Sequence, residues 1–281
     1  MNNNTNNNIN NIPKIIFIVP YRDRKYEKIH FSIYMKYLLE DYDINDYQIY
    51  YIHQEDIRPF NRGAIKNIGF LIIKELYPND YKNITLVFND IDTLPAKKNT
   101  FDYLTKKNEV KHFYGMTYAL GGIFSINGED FETTNGFPNN WGWGLEDNEM
   151  NNRVLKNNII INRNQFYKIN SKEVIHLYDD PHRLINNNEP NNYASKRLFD
   201  NLDTITNLKY SILLNNEDHK LNKVNNNEFI ANIHNFDTLI NPSHQLFYKQ
   251  NLEKNNKLKF DVLKSRQVSK QWALGNFLNK K

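Results

Sequence analysis

Asp90 and Asp92 stand two residues apart, directly after the apolar run at 84–88, ITLVF. On an extended backbone, positions i and i+2 share a face, so both carboxylates are expected to point to one side. Two such carboxylates repel unless a cation lies between or near them, and hard oxygen donors suit Mn²⁺ or Mg²⁺. A cation there would neutralise charge building on a departing diphosphate. The same spacing is common in solvated turns, so the pair gains its weight from its company.

The rarest string is Trp141-Gly142-Trp143-Gly144-Leu145-Glu146-Asp147-Asn148-Glu149. Its glycines open backbone conformations closed to other residues, and its tryptophans offer flat apolar faces of the kind that stack on sugar rings. The acids fall in the first turn of a following helix, where the helix dipole favours negative charge. Helix-start acids are the plain reading, and a lid with a base at its hinge is the functional one. His176, in VIHLYDDPH, is either a core histidine or part of a second metal-binding strand with Glu173, Asp179 and His182 near it. Arg62 precedes a helix and Arg22 and Arg24 follow a strand, so each addresses phosphate or lies on a solvated face.

Chemistry at these positions needs a scaffold to gather them. The β-branched run at 14–19 predicts a buried strand closed by Pro20, and 23–39 has helical spacing. A second strand is predicted at 47–52, a helix at 67–76 and a third strand at 84–88. Strand and helix in alternation predict an open, mostly parallel sheet, whose ligands bind beyond the carboxyl ends of the strands. Both the arginines after the first strand and the aspartates after the third lie at such ends. Further strands are predicted at 113–118, 123–126 and 159–161, a short helix at 129–135, and a helix opening after the Gly/Trp loop and running to about 156. A last strand is predicted at 229–233. The expected organisation is a disordered Asn-rich leader at 1–12, one domain at 13–235 and a basic appendage or tail at 236–281.

Composition narrows the classes. Asparagine is about one residue in six. With abundant Ile, Lys and Tyr, that is the mark of an AT-rich genome, as in giant DNA viruses or some protists. A net charge of +4 with scattered basic residues argues against a nucleic-acid partner. There is no cysteine, no apolar run of membrane-spanning length, and no basic region followed by an apolar stretch at the start. The expectation is a soluble protein of the cytoplasm, the host's if the source is viral. Nothing in the sequence signals an oligomeric state.

Taken in order, the motifs resemble glycosyltransferases of the β1,4-galactosyltransferase family. The matching residues are Val19-Pro20-Tyr21-Arg22-Asp23-Arg24, Phe60-Asn61-Arg62 with Asn67-Ile68-Gly69-Phe70, Asp90-Ile91-Asp92 with Leu94-Pro95, and Gly121-Gly122-Ile123-Phe124. The longest runs from Asn135-Gly136-Phe137-Pro138 through Trp141-Gly142-Trp143-Gly144 to Asp147. His176-Leu177, Asp179-Asp180-Pro181 and Asn207-Leu208-Lys209-Tyr210 look closest to the branch that galactosylates xylose. The resemblance covers about residues 14–235.

It implies a GT-A-type (Rossmann-like) α/β fold, an open mixed sheet with flanking helices. It also implies an inverting transfer from a UDP-sugar to a glycan or glycoprotein acceptor, assisted by Mn²⁺ or Mg²⁺. By position, Pro20, Arg22, Arg24, Phe60, Arg62 and Gly122 would form the uridine and diphosphate pocket. Asp90 would touch the ribose side, Asp92 and His176 the metal, and Trp143 would close over donor and acceptor. Asp147 and Glu146 would be the catalytic pair, with Asp147 as the general base. The sequence departs from the family pattern in four places: Tyr178 replaces the second metal-strand His, Asn148 a further Asp, one aromatic is missing before Trp141, and Ala119 stands where galactose-specific members carry Tyr. Glu173, Tyr178 or Asp179 is then left as third metal ligand, and Ala119 leaves room for a 2-N-acetyl group, so UDP-GalNAc and UDP-GlcNAc join UDP-galactose as donors. A catalytically dead, lectin-like sugar-binding module and a metal phosphohydrolase are the competing classes. The first is disfavoured by the retention of Asp92, Asp147 and His176, and the second by the lack of further carboxylate and His clusters.

Overall fold

Residues 15–21, IIFIVPY, are all buried because they form the central strand β1 (Ile15–Tyr21) of a mixed sheet. The computed structural model describes residues 12–177, 182–186, 200–215 and 227–251. Strand alternation divides the apolar side chains of β1 between two layers. Ile15, Phe17 and Val19 pack with Phe31, Met35 and Leu38 of α1 (Lys25–Leu38). Ile16 and Ile18 pack with Ile65, Ile68 and Ile72 of α2 (Arg62–Leu76) on the other face. A strand covered on both faces has no polar side, which explains the unbroken apolar run.

Parallel neighbours flank β1: β2 (Tyr47–Gln54) on one side and β3 (Thr85–Asn89) on the other. After β3 the chain makes the short strand β4 (Thr93–Pro95), then β5 (Glu109–Gly115) and β6 (Ile123–Asn127). The helices α3 (Gly128–Thr133) and α4 (Glu146–Lys156) follow, then β7 (Ile160–Asn162), β8 (Tyr167–Lys168), β9 (Val174–His176) and β10 (His182–Asn186). The described chain finishes with β11 (Thr206–Leu214), β12 (Glu228–Asp237) and β13 (Phe247–Asn251). The main sheet has the order β11-β12-β2-β1-β3-β6-β5-β7, with β8 beside β5. The pairs β3–β6, β5–β6 and β11–β12 are antiparallel, so the expected open mixed sheet with flanking helices is what forms. Two ribbons stand apart from it, β4–β9 and β10–β13.

Several boundaries differ from those predicted. β1 runs through Pro20 to Tyr21; it pairs with β3 only as far as Ile18, so the proline sits where the central strand has lost one neighbour. α2 begins at Arg62 and not near residue 67, because Asn61 caps it, its Oδ1 accepting the Ala64 N–H at 2.9 Å. Such a cap stabilises a helix by about 1 kcal/mol. The strand predicted at 113–118 is displaced to Glu109–Gly115. The strand predicted as the last, at 229–233, runs on to Asp237 and is followed by β13. Residue 235, where the expected domain ended, lies inside β12, the next residue Phe236 is fully buried, and β13 follows as far as Asn251. The rest of the expected tail, 252–281, and residues 1–11 of the expected leader lie outside the described residues.

Candidate active site

Neighbouring strands leave β1 in opposite directions, β2 to one side and β3 to the other, so a crevice opens beyond their carboxyl ends. Arg22 and Arg24 follow β1 there, and Asp90 and Asp92 follow β3. The two aspartates do not lie on extended chain, as the sequence suggested. They occupy a tight turn, in which the Asp90 carbonyl accepts the Thr93 N–H at 3.1 Å and the Asp90 N–H donates to the Gly122 carbonyl at 2.9 Å.

This turn feeds β4, which pairs with β9 so that Thr93 faces His176. The Leu177 N–H donates to the Asp92 carbonyl at 2.8 Å. Backbone pairing thus fixes Asp92 Oδ2 3.8 Å from His176 Nε2. The other ring nitrogen of His176 lies 3.5 Å from the Tyr114 hydroxyl. Burial, reinforced by Asp90, pushes the Asp92 carboxyl above its ordinary range, while His176, Thr93 and the Arg62 charge pull the other way. A carboxylate oxygen and an imidazole nitrogen at this separation, beside a second carboxylate, form a donor set short of positive charge that fits Mn²⁺. Among the described residues no group of three or more His, Cys, Asp or Glu side chains converges, so two donors are in view. Of the third-ligand candidates, Glu173 accepts a hydrogen bond from the Ser171 hydroxyl, and Tyr178 and Asp179 lie outside the described residues. His182 belongs to β10, its Nε2 3.3 Å from Asn251 Nδ2.

The acidic string builds the opposite wall. Gly142 and Gly144 have φ of +92° and +120°, and Leu145 follows at +69°, so the loop turns sharply into α4. Glu146 is buried, and its Oε2 accepts the Gly144 N–H at 3.1 Å, closing that turn. Asp147 comes next and faces the crevice. Its Oδ1 is 2.9 Å from Lys66 Nζ, and its backbone carbonyl accepts the Leu120 N–H at 2.8 Å. Its Oδ2 lies against Gly121, where an added Cβ would come within 2.4 Å. Gly122, at φ +68°, could not carry a Cβ either, which would meet the Tyr114 carbonyl at 2.6 Å. Gly121 therefore makes room for the Asp147 carboxylate and Gly122 for the Tyr114 backbone, while the Gly122 carbonyl holds Asp90 through its N–H. Burial pushes the Asp147 carboxyl up to about 7, against the pull of Lys66 and with Glu146 and Asp90 adding to the rise.

The two tryptophans divide. Trp141 is a core residue, stacked on Phe236 at 5.3 Å, and its indole N–H donates to Thr238 Oγ1 and the Ile240 carbonyl, both at 2.9 Å. The Arg58 guanidinium covers the Trp141 ring. Only Trp143 is left half-buried, its N–H donating to the Leu184 carbonyl at 2.8 Å. The Gly142 N–H donates to the Phe60 carbonyl at 3.1 Å, which ties the loop to the start of α2. Arg62 lies 5.0 Å over the Phe60 ring. Arg24 pairs with Glu27 at 3.0 Å and Arg22 with Asp23 at 3.3 Å.

Sequence reasoning missed Lys66, whose side chain is 2% exposed. A signal was present: residues 63–70 of α2 are apolar on nearly every side, and a helix without a polar face is a buried one. A lysine within it must find a partner inside.

A Rossmann-like mixed sheet, with a carboxylate turn at its switch point and a Gly/Trp loop carrying an acid across from it, defines a scaffold of the GT-A glycosyltransferase class. Residues 4–103 match the family model described as the N-terminal region of glycosyl transferase group 7. Residues 103–180 match the model described as the N-terminal domain of galactosyltransferase. The chain belongs to this group-7, β1,4-galactosyltransferase family. Mouse beta-1,4-galactosyltransferase 1 is 29% identical, over 69% of this chain and 50% of its own length. The xylosylprotein 4-beta-galactosyltransferase of Caenorhabditis elegans is 28% identical over 71% of each chain. The chain spans about half the length of the first curated relatives it matches. The fold agrees with the catalytic domain of Drosophila beta1,4-galactosyltransferase 7 in complex with xylobiose, at a TM-score of 0.57 and 23% identity, covering 79% of this chain and 94% of that one. A second structure, of a mutant of that Drosophila protein, is a complex with manganese, UDP-Gal and xylobiose. Among the described residues no helix is long and apolar enough to cross a membrane.

Proposed function

We propose that this chain is an inverting, metal-dependent transferase that moves galactose, or an N-acetylhexosamine, from a UDP-sugar to a hydroxyl of a glycan or glycoprotein acceptor. The observation that carries this reading is the convergence of Asp147 and Asp90 on one glycine turn, with Asp92 and His176 paired alongside. Asp92 and His176 would hold Mn²⁺, which when bound supplies positive charge to the leaving diphosphate. Arg62, at the start of α2, lies near enough to pull the Asp92 carboxyl down and would add to that charge; Phe60, Pro20, Arg22, Arg24 and Gly122 would shape the uridine and diphosphate pocket, with Asp90 toward the ribose. Trp143 would cover the reacting pair and exclude water. Asp147 takes the proton of the acceptor hydroxyl as that oxygen bonds to the anomeric carbon from the face opposite UDP. The glycosidic C–O bond forms, the anomeric C–O bond to phosphate breaks, and its electron pair leaves with UDP. Glu146, spent on Gly144, holds the loop that carries the base.

Two details extend the reading. Ala119, in the turn beside Leu120 and Gly121, leaves a small side chain where the resemblance would place Tyr, which favours acceptance of a 2-N-acetyl donor. A chain without cysteine also suits a reducing compartment such as the cytoplasm. The test is UDP release with Mn²⁺ from UDP-Gal, UDP-GalNAc, UDP-GlcNAc and UDP-Glc, with and without xyloside and GlcNAc acceptors. Acceptor-stimulated release from one donor, absent from Asp147→Asn, is expected. Release from none, with UDP still bound, would reject the transferase reading in favour of a binding module.

A further inference from the structure

Lys66 is the one site feature that neither the motifs nor the packing of the core accounts for. Helix α2 buries residues 63 to 70 without a break, so the lysine side chain is almost wholly shielded from solvent. A buried ammonium is costly unless opposite charge meets it. Here its Nζ lies 2.9 Å from Asp147 Oδ1 and 3.9 Å from Asp90 Oδ1, and 4.7 Å from the centre of the Phe137 ring. The groups facing the Lys66–Asp147 pair are Asp147 and Glu146 of α4, Asp90 of the β3–β4 turn and Lys66 of α2. Three carboxylates therefore share one fixed cation. Its hydrogen bond goes to a residue distant in sequence, so the contact is tertiary and serves no local helix need.

We propose that Lys66 is a positioning residue for sugar transfer: it clamps Asp147 through Oδ1, favours the ionised form of that carboxylate over the protonated one, and leaves Oδ2 as the oxygen that takes the acceptor proton. The inference rests on the transferase reading above. Without the ammonium, burial and the negative charge of Glu146 and Asp90 would hold Asp147 protonated at neutral pH, and a protonated carboxyl cannot act as a base. With it, the carboxylate is also anchored between α2 and the Gly121 turn, the two elements that meet at the crevice. The lysine keeps its own proton throughout, since three acids surround it.

The deciding experiment needs no substrate. Carbon-13 NMR follows the Asp147 carboxyl through a pH titration of the full chain, with Asp147→Asn assigning the signal. The wild-type midpoint is expected near 7. Lys66→Met should raise it by about one unit or more, and Lys66→Arg should hold it near the wild-type value. In the transfer assay, Lys66→Met should lose about 5-fold or more in kcat at neutral pH and recover as pH rises, with little change in donor KM. An unmoved Asp147 midpoint in folded Lys66→Met, or a loss that pH does not repair, would overturn the proposal. If Lys66→Met does not fold, the Lys66→Met/Asp147→Asn double variant decides. Recovery of a cooperative melt supports the charge pairing, and continued failure assigns Lys66 to packing alone. A wild type that transfers no sugar would remove the proposed function, while the carboxyl titration would still report on the clamp.

Discussion

Two corners of the crevice each hold an aspartate, and they are built in opposite ways. At the β4–β9 corner, Asp92 has His176 3.8 Å away and Asp90 as a repelling neighbour, with no lysine paired to it among the described residues. At the α4 corner, Asp147 has Lys66 at 2.9 Å. Burial pushes both carboxyls up, yet only the second corner carries a buried ammonium against its carboxylate. The first is suited to receive a cation from solution and the second to exchange a proton. The same residue type has two roles, set by what the neighbouring elements bring.

Replacing Asp92 by Ala should reduce metal-dependent transfer by about 10³-fold or more, since it removes charge stabilisation at the leaving group. Initial rates over a Mn²⁺ series would show it, and a residual rate insensitive to Mn²⁺ is the expected signature. Asp147→Asn should cost ~10²–10⁴-fold in kcat and leave UDP affinity within about 3-fold, as calorimetry would measure. Gly121→Ala should lower kcat by about 10- to 100-fold, because its Cβ would fall 2.4 Å from Asp147 Oδ2 and displace the base. Circular dichroism should show the fold intact.

The pH dependence sharpens the same contrast. Asp147 must be ionised to accept a proton, and burial raises its carboxyl to about 7. The rate should therefore climb with pH through about 7 and fall about tenfold per unit well below it. A kcat profile flat down to pH 5 would mean that another group is the base. The smallest effect belongs to Ala119→Tyr, which should shift the ratio of UDP-GalNAc to UDP-Gal turnover by about 10-fold towards galactose. An unchanged ratio would show that residue 119 does not read the donor.

Much of this is legible in the residues and some is not. The central β1, β2 and β3 follow from apolar runs that the sheet buries on both faces, α1 from its helical spacing, and the place of Asp90 and Asp92 at the crevice from their position after β3, whereas the tight turn they form there does not. β11 escapes because its side chains are mostly exposed or half-exposed, so its alternation is faint. The extent of β12 is hidden by the polar composition around it, although Phe236 completes the core beneath Trp141. Trp141 and Trp143 look equivalent two residues apart, and only tertiary packing sends one into the core. Lys66 is easily overlooked because a single lysine in a helix reads as a solvated face, whereas the all-round apolar character of α2 denies it one. The Asp92–His176 pairing depends on a two-strand ribbon closing over a long separation, which local pattern does not encode.

In this division of labour one aspartate serves the cation and the other the proton. Isothermal titration of UDP with and without Mn²⁺, on wild type, Asp92→Asn and Asp147→Asn, with donor turnover measured on the same samples, tests it most directly. Mn²⁺ should tighten UDP binding in wild type and in Asp147→Asn but not in Asp92→Asn, while turnover is lost in both variants. UDP binding indifferent to Mn²⁺ in the wild type, or turnover preserved in Asp147→Asn, would contradict the division of labour between the two corners.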